Sequence, residues 1–162
     1  MANKIYTAPE TPLVFKGSGG DAVITLANLG FGAGRISARY DRGTGSKPRL
    51  YKWRGVVQWE DNPVAGEAAE ILLAESDGTI VDGVVGVADA ALTAGQRTNL
   101  GIMGIVRAQA ATGSVDNVAS SYVLISERYF SVGVWNASAA KNLKNTANVS
   151  YVILTPVPDE IQ

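Results

Sequence analysis

The amino-acid sequence predicts an all-β chain folded as one antiparallel sandwich or barrel domain. Short runs of β-branched and aromatic residues recur along it, broken by Gly, Asp and Asn. Helical periodicity is almost absent, and no segment repeats at a fixed period, which excludes propellers and solenoids. At 162 residues the chain suffices for one domain with a real core.

The elements follow in order. Leu13–Lys16 and Ala22–Ala27 are the first short apolar runs, and Gly34–Tyr40 and Arg49–Glu60 alternate in the manner of strands. Ala68–Ser76 is a longer run that ends on Asp77-Gly78, a reverse-turn dipeptide repeated at Asp82-Gly83. Ala88–Asn99 is Ala-rich but carries Gly95 and lacks an amphipathic stripe, so it reads as a long loop with at most one helical turn. Strands are expected again at Ile102–Ala110, Ala119–Arg128, Tyr129–Asn136 and Ala147–Leu154. Ser138–Lys144 suits one or two helical turns, capped by Asn136 or Ser138. Pro156 and Pro158 are expected to keep the tail out of any ladder. The result is a single domain over 1–162, with 1–11 and 155–162 as extended arms.

Composition removes most enzyme chemistry. The chain has no Cys and no His. That excludes disulfides, thiol nucleophiles, Cys/His zinc sites, Ser-His-Asp triads and histidine acid–base work. A net charge of −1 and a pI near 5.4 argue against nucleic acid as a partner. Residues 1–9 lack a cationic start followed by an apolar run, so no secretory signal is expected and the chain is expected to be made in a cytoplasm. No apolar run approaches the ~20 residues that cross a bilayer, so no membrane partner is expected. The sequons at Asn136 and Asn148 then read as accidental.

Charge is segregated along the chain. Residues 35–54 hold Arg35, Arg39, Arg42, Lys47, Arg49, Lys52 and Arg54 against one acid, Asp41. Residues 55–96 hold no Lys or Arg but eight acids: Glu60, Asp61, Glu67, Glu70, Glu75, Asp77, Asp82 and Asp89. The basic stretch reads as a cationic hairpin with an exposed Gly-rich tip at 41–48. Its strand alternation sets Lys52 and Arg54 on one face and Trp53, Val57 and Trp59 on the core side. Such a hairpin is a candidate interface for an acidic protein surface; equally, it is a solvated outer face. The two charge blocks can be satisfied within the fold, between copies, or against another subunit.

Catalytic and cofactor motifs fail. Gly30–Gly34 sets its third glycine one residue early for a dinucleotide loop and runs into a strand, and no phosphate loop is present. The acids between Asp77 and Asp82 lack calcium-loop spacing. Carboxylate pairs such as Glu60/Asp61 or Glu67/Glu70 satisfy the minimum of a glycosidase, yet nothing distinguishes them from surface acids. No enzyme activity, cofactor or metal is expected.

Several segments carry a family resemblance: Asn28–Gly30, Gly32–Gly43, Tyr51–Arg54, Val57–Trp59, Glu70–Gly78, Arg128–Asn136 and Leu154–Gln162. From Asn28 onward the chain resembles small virion structural proteins of tailed bacteriophages, in particular head decoration (cement) proteins. The resemblance implies a jelly-roll sandwich on the outside of the capsid, often a homotrimer, with the major capsid protein as partner. The basic hairpin and the arms would then contact capsid subunits. A tail, baseplate or adsorption module binding host glycan or protein is the alternative: exposed Trp or Tyr in a concave site would favour it, and burial of all three Trp would count against it.

Overall fold

The computed structural model describes residues 10–45, 47–60, 63–79, 88–109 and 115–157. Two sheets pack face to face. One takes β2 (Ala22–Val23), β1 (Leu13–Lys16), β11 (Tyr151–Val157), β5 (Leu50–Val57) and β9 (Asn117–Leu124), in that order. The other takes β7 (Ala90–Leu92), β3 (Ala33–Ile36), β10 (Tyr129–Asn136), β6 (Ala68–Ser76) and β8 (Gly101–Arg107), with β4 (Tyr40–Asp41) also paired to β10. We call them the first and second sheet. All pairings are antiparallel except β1 with β2. The all-β sandwich expected from the sequence is therefore the observed architecture.

Alternation builds two cores. On β6, Ala69, Ile71 and Leu73 face the first sheet and join Phe15, Trp53, Val132, Val134 and Leu154 in the main core. Phe130 sits within it against Phe15, Tyr40 and Tyr51, with ring centroids 5.4–6.2 Å apart, a spacing suited to tilted aromatic packing. The intervening Leu72 and Ala74 face outward, yet they too are buried, with Ile36, Trp135, Leu92 and Leu100. Leu92 and Leu100 arrive on β7 and just after α1 (Ala94–Arg97), so this segment covers the outside of the second sheet. Thr93 and Gln96 close α1 with a reciprocal capping box. Beneath it, Trp135 lies so close to Gly34 that a Cβ there would stand 2.6 Å from its ring.

Four expectations need correction. Ala88–Asn99 contains a strand as well as its helical turn, because Ala90–Leu92 borrows its ladder from β3 rather than from β-propensity of its own. Ser138–Lys144 is not helical: Asn136 and Ser138 bond this segment as a loop, Asn136 donating to Leu29 and Lys141 carbonyls. The C-terminal ladder continues through Thr155 and Pro156 to Val157 on β5. Proline is tolerated there because β1 begins at Leu13, opposite Leu154, so no β1 ladder lies beside Pro156 to be interrupted. Finally, residues 35–54 are not a hairpin, since β3 and β5 belong to opposite sheets. The Asp77-Gly78 turn is present, with Gly78 at φ 104° and Thr79 N–H bonded to Asp77. Asp82-Gly83 lies outside the described residues, as do residues 1–9 and 158–162 of the expected arms at 1–11 and 155–162.

Candidate functional site

The seven basic residues separate into two internal ties and five exposed cations. Arg35 is half-buried and forms a bidentate pair with Asp89, Nε to Oδ1 at 3.0 Å. Burial opposes the charge on Asp89, but the bonds from Arg35 and Thr25 outweigh it and hold the carboxyl below its usual range. Arg42 is only 9% exposed. Its guanidinium donates to the carbonyls of Ile125 and Glu127 at 2.8 Å and to that of Pro48, tying the 43–49 connection to the 125–128 turn. These two arginines are internal ties. Arg39, Lys47, Arg49, Lys52 and Arg54 are exposed, with Arg39 4.4 Å from the centre of the Tyr129 ring.

Lys52 and Arg54 stand on the outer face of the first sheet. The register sets Lys52 between Thr155 and Tyr122, and Arg54 between Ile153 and Ser120. Tyr122, Leu124 and Val118 on the same face of β9 are 59%, 68% and 46% exposed. No strand residue of this sheet carries a carboxylate. The two sheets thus differ: the second is covered in part by α1 and the residues that follow it, leaving Ile102 and Ile105 of β8 exposed, while the first presents cations, hydroxyls and apolar side chains to solvent.

Lys47 and Arg49 belong to a cleft beside that face. It has a volume of about 400 Å³, and Arg42, Lys47, Arg49 and Arg128 line it together with the Gly43–Gly45 turn and Ser126. Gly43 and Gly45 have φ of 79° and 93°, which only glycine adopts without strain and which lets the loop fold over Arg42. Arg128 pairs with Asp41 at 2.7–2.8 Å. The bonds from Arg128 and the Gly43 N–H draw the Asp41 pKa down to about 2. Arg128 was not picked out by sequence reasoning. It lies outside the basic stretch, and only the β4–β10 pairing brings it to Asp41.

Much of the acidic block is consumed inside the fold. Glu70 pairs bidentately with Arg97, which also lies 4.9 Å from the Trp135 ring centre. Glu75 accepts the Ser126 and Glu127 backbone N–H groups, and Glu67 that of Val64. The tryptophans Trp53, Trp59 and Trp135 are all core residues, as strand parity predicted for Trp53 and Trp59. Asn136, the first sequon asparagine, is fully buried and bonded through its amide. No family model matches this chain, and no curated protein or solved structure is significantly similar to it.

Proposed function

We propose that this chain is a virion structural protein of a tailed bacteriophage that decorates and stabilises the capsid from outside, as an oligomer and without enzymatic activity. The observation that carries the reading is the acid-free outer face of the first sheet, with Lys52 and Arg54 at its centre and nothing among the described residues covering it. A face of that composition is complementary to an acidic protein surface, here the major capsid protein, and the exposed Tyr122 and Leu124 add apolar area to the contact. The strand orders β1-β11-β5-β9 and β3-β10-β6-β8 interleave as two Greek keys would, and we read them as a jelly roll. A homotrimer would multiply a modest interface by raising the effective concentration of the remaining copies. The adsorption alternative draws less support, because the tryptophans of a glycan platform are all buried.

The test is co-sedimentation with capsids that lack the protein. Lys52→Glu with Arg54→Glu should weaken association by at least about tenfold, and added salt should weaken the wild type similarly. Binding unchanged by both the substitutions and salt, or virions without the protein, would refute the reading.

A further inference from the structure

The cleft beside Arg42 has the chemistry of an anion site, and nothing in the docking reading requires it. Four basic side chains line it and, among the described residues, no carboxylate does. Nearby acids are already engaged: Asp41 by Arg128, and Glu75 by the backbone of Ser126 and Glu127. Glu10 and Asp21 line an adjoining cleft shared with Arg42 and Lys47, and Asp21 is bonded there to the Val14 N–H.

Arg42 is the unusual member. A buried guanidinium is ordinarily matched by a carboxylate. This one meets no carboxylate: it bonds carbonyl oxygens and lies 5.7 Å from the centre of the Tyr51 ring, and its buried Nε has no hydrogen-bond partner. The cleft therefore has a fixed cation at its base and two exposed cations, Lys47 and Arg49, at its rim. Arg128, whose charge Asp41 balances, adds a hydrogen-bond donor, because that pairing uses only Nε and one terminal nitrogen. Such an array suits an oxyanion, which accepts several charge-assisted hydrogen bonds at once.

We propose that this cleft binds an oxyanion, presented either as a free phosphate group or as a carboxylate of a docked protein. A volume of about 400 Å³ accommodates either with its attached atoms. The site rests on the cleft alone and stands whether or not the protein decorates a capsid.

The experiment titrates the full chain with inorganic phosphate, and separately with succinate, against chloride at matched ionic strength. Backbone amide shifts and melting temperature are the readouts. Saturable shifts should be confined to residues 43–49 and 126–128. Lys47→Ala with Arg49→Ala should weaken binding by about tenfold or more. Lys52→Ala with Arg54→Ala, on the sheet face, should leave it unchanged. Tighter binding of phosphate supports a site for a free phosphate group; tighter binding of succinate supports a partner's carboxylate. The proposal fails if neither probe saturates, or if the sheet-face variant weakens binding as much as the cleft variant. Arg42 is left intact throughout, so loss of binding is not confused with unfolding.

Discussion

Single residues hold this sandwich at points where no substitute fits. Gly104 lies under the Trp53 indole, and a Cβ there would stand 2.2 Å from Cζ2 in a fully packed core. Gly104→Ala should cost about 1–3 kcal/mol. Gly95→Ala, in α1, meets open space and should be neutral or slightly stabilising. Denaturant melts of the two variants make the comparison. Asp41 sets an acid limit. Its carboxyl is held at about 2 in the fold against an ordinary 3.8, so the charged form is favoured by folding. Its contribution is complete above the ordinary value and lost as pH falls through about 2. Asp41→Asn should therefore flatten the loss of stability across that interval, read as melting temperature against pH. Tyr40 and Tyr51 shift the other way, raised chiefly by burial against the aromatic cluster.

Among the elements, three strand boundaries were legible in full: Leu13–Lys16, Ala68–Ser76 and Tyr129–Asn136. β6 and β10 pair with each other along their whole length, and their apolar runs Ile71–Ala74 and Val132–Trp135 are buried on both faces. Ala22–Ala27 shows what a period-two pattern reports when the ladder is missing. Ala22, Ile24 and Leu26 are buried in strict alternation, yet only Ala22–Val23 forms a strand. Sequence periodicity there records which face meets the core, not which residues pair. β7 was not legible, since Ala90–Leu92 contains no β-branched residue and owes its existence to β3. The segment carrying it covers the second sheet through Leu92 and Leu100. Leu92→Ala should destabilise by about 2 kcal/mol or more. Hydrogen exchange should quicken over 88–100 and along β3, while β1 and β11 keep their protection.

At the scale of the molecule, the charge segregation that suggested a docking surface is in part a record of folding. Arg35 meets Asp89, Arg97 meets Glu70, and Arg128 meets Asp41, each across the fold. What survives is narrower than the seven-residue stretch: Lys52 and Arg54 on an open face, Lys47 and Arg49 at the adjacent cleft, and Arg39 against the Tyr129 ring. Alternation within Arg49–Glu60 foretold the orientation of Lys52 and Arg54 correctly. The environments of Arg35 and Arg42 depend on partners more than fifty residues away, which no local pattern encodes.

Strand order also carries a consequence in time. β10 and β11 are the last strands to be synthesised, and each is the middle strand of its sheet. Until they emerge from the ribosome, β3 has no bridge to β6, and β1 has none to β5. The nascent chain can form local pairs such as β6 with β8, but neither sheet can close. Loop-closure entropy is thus met late and over long sequence separations, which marks this protein as a slow folder. Its exposed half-sheets are the intermediates a chaperone would have to shield.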